Sequence, residues 1–204
     1  MNKKKAVIFD MYGVIVKDPT GGLSDYMSRV SPHISHEMLY GYWIPASRGE
    51  MTSAEFFTAL GFADPAAAES DYIDTIEIDP DLFPVISTLR QNGYKTAILS
   101  NDIAEWNRAL RIKHGLDKLF DTVTVSGEER IAKPSREIYA LTAARLGLSP
   151  EECIYIDDRE HFLDAAAALG MHPILFNSRK VSYIGDIAYC FADILKLLHI
   201  PDIL

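Results

Sequence analysis

The sequence predicts an α/β protein: a doubly wound, Rossmann-like parallel sheet that carries a small helical cap domain. Three observations predict it. Ala6-Val7-Ile8-Phe9 is a short apolar run ending in Asp10, the pattern of a strand buried on both faces. Further short apolar runs alternate with helix-like stretches over short connections, which is the signature of a parallel sheet with helical crossovers. The interval between the first strand and the next, roughly 80 residues, far exceeds the dozen or so that a crossover needs, so it holds inserted structure.

The insert is expected over residues 17–77, between the core segments 1–16 and 78–204. Apolar spacing places helices around Tyr26, Met27 and Val30, then around Met38, Leu39, Tyr42 and Trp43. Thr52-Ser53-Ala54-Glu55 has the form of a capping box ahead of Phe56, Phe57 and Leu60. Together these make a small cap with its own modest core. The crossover helix begins near Asp79-Pro80, an N-cap followed by proline, and stops at Asn92-Gly93.

A second strand is predicted over Tyr94–Leu99, then a helix from Ile103 to about Lys113 that Gly115 closes. Phe120–Val125 alternates and is rich in β-branched residues, giving a third strand. The polar stretch from Ser126 to Arg130 reads as a turn leading to Lys133-Pro134, with a helix from Ser135 to about Leu146. Cys153–Ile156 is a fourth strand ending in Asp157-Asp158, and the alanine-rich helix after it stops at Gly170. Pro173–Phe176 is a fifth strand, and a final amphipathic helix is expected over Ile187–Leu198.

Composition narrows the function. The formal charge of −9 argues against a broad nucleic-acid surface, where cationic contacts to phosphate dominate affinity. It leaves room for a small anionic substrate, because a metal ion and a few local cations reverse the sign inside a pocket. No stretch approaches the ~20 apolar residues of a membrane span, and the basic Met1–Lys5 stretch lacks what a signal peptide needs, so a cytoplasmic location is the expectation. Cys153 and Cys190 have no close partner in sequence and read as buried thiols rather than a disulfide or a thiolate metal site. Oligomeric state is open.

Parallel strands bring their carboxyl ends to one edge, so Asp10, Ser100-Asn101, Lys133 and Asp157-Asp158 should converge there. Singly, each residue is explained as a helix cap, a turn former or a solvated lysine. Together, a carboxylate, a hydroxyl, a lysine and a carboxylate pair at successive strand ends make a reaction site.

Asp10-Met11-Tyr12-Gly13-Val14, Ser100-Asn101, Lys133-Pro134 and Ile156-Asp157-Asp158 resemble the four successive motifs of the haloacid dehalogenase-like (HAD) hydrolase superfamily. The likeness runs from about Lys5 to Phe176, and the insert lies where many of these enzymes carry a helical cap. The resemblance implies a hydrolase acting on a small phosphorylated metabolite. Asp10 would attack phosphorus to form an aspartyl-phosphate, Ser100 and Asn101 would bind the phosphoryl group, and Lys133 would neutralise its charge. Mg²⁺ would be held by Asp10, the backbone carbonyl of Tyr12 and Asp158, with Asp157 supporting directly or through water.

One departure stands out. Phosphatases of this family usually have a second aspartate two residues after the nucleophile, serving as acid and base, and here that position is Tyr12. Losing a positioned acid/base typically costs about 10²–10⁴ in rate. A tyrosine there also resembles the 2-haloacid dehalogenase branch, whose halide leaves without protonation. Three crowded carboxylates would repel a carboxylate substrate unless a cation sits among them, which favours a metal-dependent phosphatase. The other alternative is a relative that binds a phosphorylated ligand without turning it over. Phe162 stands where many relatives place a polar residue supporting the metal, and Tyr42, Trp43 and Arg48 are the insert's candidates for substrate contact.

Overall fold

The computed structural model describes residues 3–18, 22–177 and 180–201, so Met1 and Asn2 of the basic amino-terminal stretch lie outside the described residues. Six parallel strands form one sheet in the order β3-β2-β1-β4-β5-β6. They are β1 (Ala6–Phe9), β2 (Lys95–Ser100), β3 (Thr122–Val125), β4 (Cys153–Asp157), β5 (His172–Phe176) and β6 (Asp186–Ala188). All four residues of β1 are fully buried, as expected of a central strand covered on both faces. The chain steps outward from β1 through β2 to β3, then returns to the other side of β1 with β4. The strand order therefore reverses beside β1, and the crevice outside the β1 and β4 carboxyl ends is the topological switch point.

The chain leaves the sheet layer after a tight loop in which the Gly13 N–H donates to Val16 O at 2.7 Å and the Val16 N–H donates to Met11 O at 2.8 Å. It returns at Ile78, which pairs with Val16. Among the described residues between them lie four helices: α1 (Leu23–Val30), α2 (His36–Ser47), α3 (Ser53–Ala59) and α4 (Pro65–Thr75). The capping box of α3 is present, with both Thr52 and Glu55 in their reciprocal roles. α4 had no counterpart among the expected helices, although its Asp64 cap and Pro65 at the first turn are the usual start signals.

The insert does not have a core of its own. Its apolar residues join the main cluster through Trp106, whose ring lies 5.3 Å from Phe56, 5.8 Å from Phe57 and 4.7 Å from Tyr72. The Trp106 Nε1–H donates to Ser53 Oγ at 2.7 Å in the buried seam, and the Ser126 hydroxyl donates to Ser47 O. Backbones also meet there: a Cβ on Gly49, which has φ +70°, would lie 2.4 Å from Gly127 O.

The remaining helices are α5 (Leu82–Gln91), α6 (Ala104–His114), α7 (Ser126–Glu129), α8 (Arg136–Arg145), α9 (Glu160–Ala167) and α10 (Phe191–Leu197). Three differ from the sequence pattern. α5 starts two residues beyond the expected Asp79-Pro80 cap, because Asp79 instead caps a preceding turn, accepting the Asp81 N–H at 3.0 Å. The polar Ser126–Arg130 stretch closes into the single turn of α7 rather than an open turn. The last segment divides into β6 and α10, since three residues pairing at the sheet edge are too few for any periodicity to register.

Candidate active site

β1 delivers Asp10 to the switch-point crevice, and its N–H donates to Ile156 O at 2.9 Å, tying the strand end to β4. The carboxylate is almost fully buried. Its Oδ1 accepts the Met11 N–H at 2.7 Å and lies 2.8 Å from Lys133 Nζ. Among the described residues, Oδ2 accepts no hydrogen bond. Burial and the neighbouring Asp157 push this carboxyl well above the usual range, against the lowering effect of Lys133.

Lys133 reaches the site from the loop before α8. Its ammonium lies 2.9 Å from Asp157 Oδ2, 3.0 Å from Tyr155 Oη and 4.7 Å from the centre of the Phe162 ring. Burial alone would lower its pKa, but Asp10 and Asp157 outweigh that and raise it. Asn101, just past β2, fixes the backbone of this lysine from both sides: its Nδ2–H donates to Lys133 O at 3.0 Å and its Oδ1 accepts the Lys133 N–H at 2.8 Å. Asp157 is fully engaged, with Oδ2 taking the ammonium and the Tyr155 hydroxyl and Oδ1 taking the Arg159 N–H at 2.9 Å.

Asp158 is buried against the loop after β1. A Cβ on Gly13, which has φ +86°, would lie 2.6 Å from Asp158 Cγ, so only glycine admits this approach. One carboxylate oxygen from each of Asp10, Asp157 and Asp158 falls within 4.8 Å of the other two. Among the described residues, Lys133 and Arg159 stand beside these three acids, with Arg159 Nε 4.0 Å from Asp158 Oδ1. Three acids thus crowd into one buried cluster of hard oxygen donors, a donor set that suits a divalent cation such as Mg²⁺. Ser100 sits buried at the end of β2, and its hydroxyl has no hydrogen-bond partner among the described residues.

Tyr12 turns its hydroxyl away from the acidic cluster and donates it to Asp102 Oδ2 at 3.1 Å. Burial, then Asp102, raises its pKa well above that of an ordinary phenol. Asp102 is itself buried, and desolvation pushes its carboxyl up to about 7 despite hydrogen bonds from Asn107, Tyr12 and the Ile103 N–H. In front of the cluster opens a cavity of about 300 Å³. Asp10, Tyr12, Asn101 and Lys133 line it from the sheet side, while Trp43 and Arg48 reach it from α2 and the residue beyond. Ser100, Asp157 and Asp158 lie behind this surface, and Tyr42 packs into the core instead.

The structure adds residues that the sequence did not single out. Arg159 follows Asp157-Asp158 directly at a strand end, where position alone was a signal. Tyr40, Tyr72 and Trp106 also line the cavity, but their helical spacing reads equally well as packing.

Comparison with known proteins identifies the family and the fold. The family model for haloacid dehalogenase-like hydrolases matches residues 4–170. A glyceraldehyde 3-phosphate phosphatase from Methanopyrus kandleri is 34% identical over 100 residues, covering 46% of this chain and 42% of that protein. The (S)-2-haloacid dehalogenase 4A of Burkholderia cepacia is 30% identical over 98 residues, covering 48% of this chain and 42% of that protein. The matches therefore span less than half the length of these relatives. Among solved structures, a HAD family enzyme from Bacteroides thetaiotaomicron in complex with magnesium and inorganic phosphate has the same fold, with a TM-score of 0.74 at 20% identity, covering 86% of this chain and 95% of that one.

Proposed function

Since the chain belongs to the haloacid dehalogenase-like hydrolase family, we propose that it is a metal-dependent phosphomonoester hydrolase working through an aspartyl-phosphate on Asp10. The observation that carries this reading is the buried cluster of Asp10, Asp157 and Asp158 around one lysine. A carboxylate substrate would approach three crowded acids, whereas a phosphate bound through a cation would have its charge offset. The magnesium and phosphate held by the Bacteroides relative agree with it.

In this reading Oδ1 of Asp10 is anchored by Lys133 and the Met11 N–H, which leaves Oδ2 to attack phosphorus. Lys133 neutralises charge on the nucleophile and the transferring group, and Asp157 and Asn101 hold it in place. The unpartnered Ser100 hydroxyl donates to a phosphoryl oxygen. Asp10, Asp158 and the Tyr12 carbonyl would hold Mg²⁺, which when bound would offset the charge of the phosphoryl group. Asp157, with both oxygens already engaged, supports the site from behind. Helices α1–α4, over residues 17–77, form a cap whose Trp43 and Arg48 face the substrate.

A second reading, dehalogenation, is favoured by one specific observation: among the described residues lining the cavity Asp10 is the only carboxylate, and halide needs no acid to leave. Release assays on the purified chain decide. Phosphate release from phosphomonoesters that requires both Mg²⁺ and Asp10, lost in Asp10→Asn, is the expected result. Metal-independent halide release from 2-chloropropionate would replace the phosphatase reading with the second. Ligand binding without either product would make the chain a non-catalytic relative.

A further inference from the structure

Two independent features of the cavity bear on which phosphate ester fits it. The first concerns protons. Among the described residues that line the cavity, Asp10 is the one carboxylic acid and there is no histidine. The hydroxyl nearest in sequence to the nucleophile, on Tyr12, is committed to Asp102, which lies behind the cavity wall. An alkoxide leaving group, a much stronger base than a phenolate, would depart without a good proton donor. A phenolate, with a conjugate acid near pKa ~10, needs one far less.

The second feature is the wall. Rings of Tyr40, Trp43, Tyr72, Trp106 and Phe162 face the same cavity. They are held rather than free: Trp106 is tethered to Ser53 and lies 4.7 Å from the Tyr72 ring, while Tyr40 stacks at 4.3 Å on His36 and meets Trp43 edge-on at 5.8 Å. Such a surface suits a flat aromatic group through offset and edge contacts.

We propose that the substrate class is the aryl phosphates, in which phosphate esterifies a phenolic hydroxyl and the ring sits among these side chains. The assignment rests on the phosphatase reading above. Asp10 Oδ2 bonds to phosphorus as the phosphorus–oxygen bond to the ring breaks, and the electron pair leaves on the phenolate oxygen, which takes its proton from solvent afterwards. Water then attacks the same phosphorus and the bond to Asp10 breaks. The carboxylate returns, and the proton of the attacking water leaves with phosphate.

The test measures inorganic phosphate released by the full chain with Mg²⁺ from phenyl phosphate and from benzyl phosphate, which carries the same ring on an alkyl oxygen. The kcat/KM for phenyl phosphate should exceed that for benzyl phosphate by about 10²–10⁴, the usual worth of a positioned acid. Tyr12→Asp should narrow that ratio by restoring a carboxylic acid, and Trp43→Ala should raise KM for phenyl phosphate a few-fold to about tenfold. A wild-type ratio below about ten would overturn the inference while leaving the phosphatase reading intact. So would unchanged KM in Trp43→Ala. Phosphate released from neither ester, nor from acetyl phosphate, would end both.

Discussion

Replacing Lys133 by methionine keeps the length of the stem and removes its charge from a fully enclosed position. The ammonium lies 2.8 Å from Asp10 Oδ1 and 2.9 Å from Asp157 Oδ2, so two buried carboxylates lose their shared partner at once. Removing one side of a buried ion pair typically costs about 3–5 kcal/mol, because the charge left behind has neither water nor a counter-ion. In a chain of this size that corresponds to a fall in Tm of roughly 6–20 °C. The loss should also depend on pH with a definite sign. The Asp10 carboxyl already sits above its ordinary range, and Lys133 opposes that rise. Without the lysine it holds its proton to still higher pH, so the folded chain binds more protons than the unfolded one across that window, and stability falls as pH rises. Urea unfolding followed by circular dichroism, in EDTA at pH 5 and pH 8, reads both effects. The loss should be full at pH 8 and visibly smaller at pH 5. A loss under about 1 kcal/mol at pH 8, or the same loss at both values, would refute the electrostatic account of this cluster.

Three other outcomes are expected. Asp102→Asn removes a carboxyl that burial lifts to about 7. That group costs the wild type stability as pH climbs from about 4 to 7, so the variant should gain on the wild type over this range, on the order of a few kcal/mol, in parallel urea titrations. Ser53→Ala leaves the buried Trp106 N–H without its acceptor and should destabilise by about 1–3 kcal/mol in the same assay, with Trp106 fluorescence as the local probe. Arg48→Ala should leave Tm within about 1 °C, because this exposed guanidinium has no partner among the described residues, yet raise substrate KM about tenfold or more through loss of a charged contact.

The sheet and the position of its reactive edge could be read in the sequence for a definite reason. Strands buried on both faces write themselves as uninterrupted apolar runs, and parallel pairing sends Asp10, Asn101 and Asp157 to one side without further information. What happens after the strand ends was less legible. Asp102 is the third polar residue in Ser100-Asn101-Asp102 and looks like a turn former, and only the fold brings the Tyr12 hydroxyl to it across 90 positions. Tyr72 and Trp106 come from separate helices whose apolar spacing carries no mark distinguishing a cavity wall from a core, and here they serve as both. The shared core of insert and sheet was hidden for the same reason, since periodicity says which face of a helix is apolar but not what covers it.

The seam where Gly49 meets Gly127 bears on how this molecule could be recombined. A Cβ on Gly127 would also lie 2.7 Å from Asp102 O and from Ala104 N, so this one residue of α7 is pressed between the insert and the backbone leading into α6, with no room for a side chain on either glycine. Residues 17–77 are therefore not an exchangeable cassette. A chimera taking this stretch from another protein inherits a surface shaped for someone else's α7, and would need the Ser126-Gly127 pair and the matching glycine moved with it. Shuffling boundaries drawn at Val16 and Ile78, where the chain crosses most simply, would cut the polypeptide cleanly and still separate two halves of one fitted joint.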